Sequence, residues 1–429
     1  MKVLVLGAGG VGESICALFK RRSNTKNWLE KVILADYDYA KAVRAVEKLD
    51  EPDMFVAEQV NALNKDEVVA VARKYDVGFM VHCLVTEGFT EVIMDACLEC
   101  GCHFVDMALS ETIRDPEDQT KIIQELGHNE FLKSDDFEKK NLYGLVACGV
   151  EPGMIDYFAR YAENNLFDEI EGLYVRDGSN LTHPSSDLVF GFSVSTTLME
   201  CLYGPHLYSA EKGIYSADPL TYTEDFWLPG GIGMTRMSAV EHSEPLNMSR
   251  HIKGIKEANF KIGYGKDFED AMKYLSQLGL LSNSEVELHG EKIIPVNVLI
   301  DLLGAVSPEP KEIGLELIGK TCAGLWVKGK KDGKERQVYI YQVADNQECV
   351  KKYGTPAVVA QTAVVPAIVV ELVARGKMEG PFGVRVSEEF NPMPVLALLE
   401  EYEFPAGVYE MESEYREELE KNAFKNYLK

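Results

Sequence analysis

The sequence predicts an α/β protein: a doubly wound parallel sheet in the N-terminal third, then a second α/β domain with a mixed, largely antiparallel sheet. Three observations carry this. Apolar, β-branched runs at 3–6, 32–35, 54–60, 77–84, 103–107 and 143–149 alternate with helix-period segments through the first 150 residues. From Ile170 the texture changes to strands with hairpin punctuation, in "IEGLYVRDG", "EANFKIGYG", "KTCAGLWVKGK" and "ERQVYIYQVA". The chain has 429 residues, long for one core, and 46% of them are apolar.

The first strand, Val3 to Leu6, has the content of a strand buried on both faces, and "GAGGVG" follows it. Gly7, Gly9 and Gly12 fall in the GxGxxG spacing, each with its own task. Gly7 turns the chain out of the strand, Gly9 lets a pyrophosphate touch the backbone, and Gly12 lets the next helix pack close. Val11, Ile15, Leu18 and Phe19 recur at helical spacing up to Lys20, Arg21 and Arg22, so the helix start points free N–H groups at a phosphate. Strand, glycines, helix and a second strand together imply a dinucleotide cradle formed by Gly7, Ala8, Gly9, Gly10, Val11 and Gly12, rather than a turn of structural use.

The second strand, 32–35, ends at Asp36, 24 residues beyond Gly12, with Tyr37 beside it. That carboxylate stands where a ribose 2′-hydroxyl is held, and in NADP the position carries a phosphate. Two unit charges about 4 Å apart repel by up to about 4 kcal/mol at an effective dielectric near 20. NAD is therefore favoured, with NADP possible. The alternative is that Asp36 only caps the turn before the helix of 39–49.

In such sheets ligands lie at the carboxyl ends of the strands, which singles out "HCLVTEG" (82–88), "DMALSE" (106–111) and "CGVEPGMID" (148–156). Expected cofactor contacts beyond the cradle are Ala62, Cys83, Leu84, Val85, Asp106, Met107, Val150 and Pro152. Glu151-Pro152-Gly153 reads as a sharp turn that starts a helix from Met154 to Asn164. Further helices are expected at 193–202, 267–279 and 295–304, and an apolar one over 355–378, kinked or restarted at Pro366 and closed by Gly376. That last helix is expected to pack back on the first domain.

The net charge of −25, from 69 acidic and 44 basic residues, argues against nucleic-acid or anionic-membrane surfaces. The basic run at 328–336 is broken by two glycines and an Asp and reads as an exposed hairpin loop. No stretch of about 18 apolar residues is read, and the N-terminus enters a strand at once, so neither span nor signal peptide is expected and the location is cytoplasmic. Among nine cysteines, Cys97, Cys100 and Cys102 resemble the start of a metal site, but no second CxxC or HxxxH follows; structural thiols and no metal are expected. "GLELIGKT" (314–321) matches a phosphate-loop pattern in the wrong context, because it is bulky and runs into a strand.

Four blocks together, "VLGAGGVG", "VEPGM", "TCAGLWVKGKKDGKERQVYIY" and "TAVVPAIVVELVARGKMEGPFGV", resemble the saccharopine dehydrogenase family over nearly the whole chain. The resemblance implies a Rossmann NAD(P)-binding domain at 1–153, a substrate-binding and dimerisation domain at 154–354, and a segment 355–429 that returns to the first domain. It implies a homodimer, and reversible hydride transfer at a carbon bearing nitrogen, with an amino-acid or polyamine derivative of the saccharopine, lysine or carboxynorspermidine type as substrate. "GLLS" (279–282) and the basic hairpin are similar to the carboxynorspermidine branch, whose second strand usually ends in Ser-Arg for NADPH. Asp36 departs from that and is similar to NAD-linked lysine 6-dehydrogenases, while "HCLVTEG" lacks the Pro-aromatic pair of a saccharopine reductase. A transferase working through bound NAD, of the homospermidine synthase type, and a non-catalytic dinucleotide-binding protein are the alternatives.

Oxidising an amine at neutral pH requires that the nitrogen lose its proton before its lone pair can expel hydride, so a general base or an ordered water is needed. Asp106 at a strand end, Glu151 in the Pro-Gly turn, His82 and His242 are the candidates. Each has a plainer role: Asp106 as a turn cap, Glu151 as a solvated side chain, His82 as a core histidine, His242 as a surface-loop residue. Arg236 and Arg250 could fork a substrate carboxylate, or pair with surface acids. "FSVSTT" (192–197) resembles the family's stretch facing the cleft, which points to Ser193, Ser195 and Thr196 as substrate contacts.

Overall fold

The computed structural model describes residues 1–23, 27–84, 88–110, 112–114, 122–184, 189–306, 315–411 and 417–420. They divide into two compact units, one of Met1–Asn165 with Ala360–Pro405, the other of Leu166–Val359 with the described residues from Ala406 to 420.

The first unit is built on strands β1 (Lys2–Leu6), β2 (Lys31–Asp36), β3 (Phe55–Gln59), β4 (Phe79–His82), β5 (His103–Asp106) and β6 (Tyr143–Leu145). With a short strand at Gly383–Arg385 they form one seven-stranded sheet, in the order Gly383–Arg385, β6, β5, β4, β1, β2, β3. Every pairing is parallel, as helical crossovers require. The order reverses between β1 and β4, which opens the crevice at the carboxyl ends of those two strands. Register sets Leu6 beside both Ala35 and His82, and His82 beside Asp106.

Helices α1 (Gly10–Ser23), α2 (Tyr39–Leu49), α3 (Lys65–Tyr75) and α4 (Thr90–Cys100) connect the strands. Val68, Val69, Ile93, Met94 and Cys97 from α3 and α4 pack on Leu4, Leu6, Met80 and Phe104, forming one apolar layer. The expected strand at 143–149 stops at Leu145, because the chain turns through Ala147 at φ 52°.

Two boundaries differ from the sequence reading. The first unit runs past 153 to Asn165, because helix α5 (Met154–Tyr161) buries seven of its eight residues and belongs to that core. Nor does 355–429 behave as one returning segment. Ala406–Glu410 is a strand in the sheet of the second unit.

The long helix Ala357–Ala374 keeps Pro366 inside it and does not restart there. It also corrects the absence of an 18-residue apolar stretch: its mean hydropathy is 2.1 over 18 residues, and 83% of that window is buried inside the protein. Gln361, Thr362 and Glu371 interrupt the run, which hides it from a search for unbroken apolar residues. Within the first unit Glu371 anchors it. Arg22 grips Glu371 with Nε at 3.1 Å and Nη2 at 2.9 Å, and also reaches Glu401 at 2.8 Å, while the Tyr402 hydroxyl donates to Glu371 at 2.9 Å.

The second unit carries β7 (Glu169–Ser179), β8 (His206–Ser209), β9 (Gly213–Ser216), β10 (Thr223–Leu228), β11 (Gly233–Ala239), β12 (Glu257–Gly263), β13 (Lys320–Lys331), β14 (Lys334–Asp345) and β15 (Ala406–Glu410). They belong to a ten-stranded mixed sheet along the path β9, β8, β12, β7, β13, β14, β15, with β11 beside β12 and β10 beside β11. Only β7 with β12 is parallel among these strands. The basic run forms a two-residue hairpin at Asp332 (φ 52°) and Gly333 (φ 71°), and the phosphate-loop look-alike runs into β13; its Gly314 lies outside the described residues. Helices α6 (Val194–Leu202), α7 (Glu244–His251) and α8 (Lys266–Gln277) complete what the site needs.

Replacing Arg22 by Ala leaves Glu371 buried without its main partner and is expected to cost about 3–5 kcal/mol in denaturant unfolding. Burial pushes the Glu371 carboxyl up, but the Arg22 and Tyr402 hydrogen bonds outweigh it and hold the group below its ordinary range. A depressed carboxyl gives stability that is present above the unfolded value, about 4.3, and lost as pH falls through the folded one. The Arg22→Ala protein should therefore lose part of the wild-type dependence on acid, and an unchanged acid limb would refute this account of the pair.

Candidate active site

The cradle forms where β1 ends. Gly7 takes φ 109° and donates its N–H to Ala35 at 2.8 Å. A β-carbon on Gly7 would lie 2.6 Å from the Cys83 carbonyl oxygen, and one on Gly12 would collide with the Gly7 carbonyl. These two glycines are required by the protein's own packing. Gly9 differs, since a β-carbon there meets nothing within 4 Å. The space above Gly9 is open, and the first N–H groups of α1 have no partner inside their helix.

Asp36 closes the cradle. Its Oδ2 accepts from the Ala8 N–H at 2.8 Å and its Oδ1 from the Asp38 N–H at 3.0 Å. The same carboxylate that would meet a ribose thus ties the glycine loop to the end of β2. Tyr37 stands beside it 76% exposed, with Tyr39 and Leu63 also exposed, an apolar surface unusual for a crevice edge and fit for an adenine ring. An open glycine, helix N–H groups, an acidic strand end and exposed rings fit the adenosine and pyrophosphate of a dinucleotide.

The other strand ends converge on the same edge. Cys83 and Leu84 follow β4 and border Gly7; Val85 lies outside the described residues. Ala62, after β3, is buried. Met107 follows β5, and its Cβ lies 3.3 Å from where a β-carbon on Gly149 would stand. The turn from Gly149 to Gly153 carries Val150 (buried), Glu151 and Pro152 (half-buried), with a cis peptide between the last two. Gly149 donates to the Pro152 carbonyl at 2.7 Å, and Gly153 to the Asp156 carboxylate at 2.6 Å, so one backbone and one side-chain acceptor fix the turn before α5.

His82 and Asp106 form a buried pair. Nδ1 of His82 lies 2.6 Å from Asp106 Oδ2, which also accepts from the Thr90 hydroxyl at 3.2 Å, while Oδ1 accepts from the Ala108 N–H at 3.1 Å. A carboxylate receiving these donors makes Nδ1 a proton-bearing nitrogen of the ring. Nε2 has no hydrogen-bond partner among the described residues, and His82 is 0% exposed. The sequence reading found both members but missed Thr90, and it missed Glu130, a fully buried carboxylate that holds Ser110 by N–H and hydroxyl, both at 2.6 Å. Nothing local in the sequence marks either.

In the second unit His242 is stacked flat on Phe260, with ring centroids 3.6 Å apart. Its Nδ1 lies 3.1 Å from Glu244 and its Nε2 3.5 Å from Glu200, whose other oxygen accepts from the Tyr264 hydroxyl at 2.8 Å. Burial opposes the imidazolium, but Glu244 and Glu200 outweigh it and lift the ring to about 10. At neutral pH it is a proton holder, not the base expected of it, nor is it a surface-loop side chain. Ser193 spends its hydroxyl capping α6, accepting from Thr196 N–H at 3.3 Å, and its Oγ lies 3.0 Å from that of Ser195. Arg236 is 43% exposed and donates to Thr223 at 2.7 Å, with Asp225 at 3.6 Å and Glu269 at 3.9 Å. Arg250 is exposed in the last turn of α7.

Sequence reasoning also missed a buried cation pair. Register places Lys261 of β12 directly beside Arg176 of β7, and both face Glu224, Lys261 at 3.4 Å. Burial and the Arg176 charge press the Lys261 amine down to about 8. All nine cysteines are free, and Cys102 donates to Val77 at 3.1 Å; among the described residues no group of three or more His, Cys, Asp or Glu side chains is placed to hold a metal.

A raised imidazole contributes stability that is fully present below its unfolded value, about 6.5, and lost as pH rises through about 10. The His242 ring should remain charged at pH 8 in an NMR titration, and Glu200→Gln should move its midpoint down. A ring that titrates near 6.5 in the native protein would show that the two carboxylates do not hold its proton.

Two family models cover most of the chain: the saccharopine dehydrogenase NADP binding domain over residues 3–130, and the saccharopine dehydrogenase C-terminal domain over 149–404. The sequence is 28% identical over 411 residues to carboxyaminopropylagmatine dehydrogenase of Synechocystis sp., covering 94% of this chain and 96% of that one. It is 27% identical over 422 residues to carboxynorspermidine synthase of Vibrio alginolyticus, covering 96% and 98%. The fold matches L-Glu-forming saccharopine dehydrogenase of Saccharomyces cerevisiae with a TM-score of 0.71 at 13% identity, over 96% of this chain and all of that one. This chain belongs to the saccharopine dehydrogenase family and is an NAD(P)-dependent oxidoreductase.

Proposed function

We propose that the protein transfers hydride between NAD, in preference to NADP, and a C–N bond of a carboxylated polyamine-type derivative. The observation that carries the cofactor half is the Asp36 carboxylate at the edge of the open glycine cradle. The substrate half is supported by the two relatives whose names specify carboxyaminopropylagmatine and carboxynorspermidine. The family model is described as NADP-binding, and Asp36 is the feature of this chain that argues the other way.

A bound nicotinamide would supply the hydride acceptor. The chain's own residues do the rest. The glycine loop and the start of α1 would take the pyrophosphate, and Asp36 the ribose hydroxyls. The His82–Asp106 pair sets an unpartnered, buried Nε2 at the carboxyl end of β4, next to the strand end at which the cradle begins. There it would accept the proton an amine must lose, directly or through one water. The glycine turn 149–153 orders backbone at the same edge of the sheet. Free cysteines support a reducing compartment, and the reading places the enzyme in the cytoplasm as a homodimer.

Three measurements test this. The protein with NAD and carboxynorspermidine, carboxyaminopropylagmatine, saccharopine and lysine should form NADH with one of the first two, at least about tenfold more efficiently than it forms NADPH from NADP. Turnover without net NADH would point to the transferase alternative, and no dinucleotide-linked change with any of them would refute the reading. Asp36→Asn keeps an acceptor for Ala8 while removing the charge, so it should shift the NAD to NADP efficiency ratio by about tenfold or more; Asp36→Ser should also weaken both cofactors, because the loop loses its tie. His82→Gln should lower kcat by about a hundredfold or more with NADH affinity unchanged. Equal losses in both would make His82 a packing residue.

A further inference from the structure

We infer that Cys100 and Cys102 form a reversible thiol–disulfide site at the junction of α4 and β5, oxidised by exchange with a low-molecular-weight disulfide. The inference is independent of the proposed hydride transfer. Three of the nine cysteines, Cys97, Cys100 and Cys102, fall within six residues here, all of them free and none placed as a metal ligand.

Chain geometry brings two of the three together. Helix α4 ends at Cys100, and Gly101 caps it in the left-handed conformation, with φ 72° and ψ 36°. From the radius, rise and turn of an α-helix, a residue with helical angles of either hand sets the α-carbons of its two neighbours about 5.4 Å apart. A disulfide spans α-carbons roughly 4.4–6.8 Å apart. The N–H groups of Gly101 and Cys102 both donate to the Cys97 carbonyl, Cys102 at 3.0 Å, so the turn is pinned in that form. The Cys100 and Cys102 side chains are in hydrogen-bond contact.

Burial separates the roles that exchange requires. Cys102 is 0% exposed and its thiol donates to the Val77 carbonyl at 3.1 Å; Cys97 is 0% exposed too, with its thiol 3.8 Å from the His103 carbonyl. Cys100 is half-buried and is the one of the three that a reagent can reach. Burial and the Glu99 charge favour its thiol form, whereas Arg73 and Lys65 of α3, which pair with Glu99 at 2.9 and 2.8 Å, favour the thiolate. Cys100 is therefore the attacking thiol and Cys102 the resolving one.

The exchange balances in two steps. The Cys100 thiolate attacks one sulfur of the small disulfide, whose S–S bond breaks and releases a thiolate. The Cys102 thiolate then attacks the Cys100 sulfur of the mixed disulfide and releases the second. The chain gives up two protons and two electrons, and the small disulfide leaves as two thiols. The loop so closed holds three residues, too few to remove much entropy from the unfolded chain, so the bond suits reversible oxidation better than stapling. It lies before the amino end of β5, whereas Asp106 stands at the carboxyl end, so oxidation should leave NADH uptake unchanged.

The test uses the full chain, reduced and then incubated with glutathione disulfide. Two of the nine thiols should be lost, differential alkylation with mass spectrometry should place them at Cys100 and Cys102, and dithiothreitol should restore both. Cys102→Ser should lower intramolecular bond formation at least about tenfold and retain glutathione on Cys100, Cys100→Ser should take up neither, and Cys97→Ser should oxidise like wild type. NADH uptake and thermal unfolding show that each variant is folded. No intramolecular bond in the unaltered folded chain, a bond between Cys97 and Cys100, or Cys102→Ser losing two thiols as wild type does overturns the inference. Loss of NADH uptake on oxidation overturns its separation from the cradle.

Discussion

The carbonyl of Gly7 and the α-carbon of Gly12 stand so close that no side chain fits between them, and the first unit is organised around that contact. It lets α1 lie directly on the end of β1. It thereby fixes where the helix N-terminus points and leaves Gly9 as the one member of the GxGxxG trio with open space above it. Cys83 presses on Gly7 from the far side, so the ends of β1 and β4 are locked together. The crevice is a by-product of packing that the sheet needs in any case, and the chemistry uses what packing leaves open.

The second unit obeys a different constraint, the cost of buried charge. Arg176, Lys261 and Glu224 form one group and Glu200, His242 and Glu244 another, each mixing signs so that no ion is isolated. The two groups are not equivalent. The first is closed by Asn259, which accepts from Arg176 at 2.8 Å, and in the second Glu244 pairs with His242 through Oε2 while its Oε1 has no partner among the described residues. A fully satisfied network stiffens the sheet that holds it.

What could be read from the sequence was whatever depends on neighbours in the chain. The glycine loop, Asp36, the alternation of strand and helix, and the Asp332-Gly333 hairpin all rest on local spacing and turn chemistry. What could not be read depends on residues far apart. The sequence offers His242 as a candidate base or a surface-loop residue, because Glu200 lies 42 positions earlier and Phe260 18 later, and only the fold reveals that they enclose it. Arg176 and Lys261 become neighbours only once β7 and β12 pair in parallel. The boundary lies at 165 and not 153 because a change of texture marks where the second sheet begins, not where the first core ends, and α5 is buried nearly all round. Ala406–Glu410 was assigned to the wrong unit for the same reason, since a strand's sequence does not say which sheet receives it.

Asp36 ties the proposed cofactor preference to the geometry of the glycine loop. A carboxylate that did nothing but contact ribose could be exchanged freely for the serine and arginine that suit a phosphate. Here both oxygens are engaged by backbone N–H groups, one from the glycine loop and one from the turn into α2. Loss of the acid therefore frees two donors at the place where the loop must stay rigid, and a gain for NADP is set against a poorer cradle for either nucleotide. Replacement by an uncharged side chain of the same shape separates the two effects, because hydrogen bonding to Ala8 survives while the repulsion of a 2′-phosphate does not. The NAD preference proposed for this chain thus rests on the loop and the strand end acting as one structure, and a route to NADP would have to supply a new acceptor for Ala8 before it could profit from a new cation.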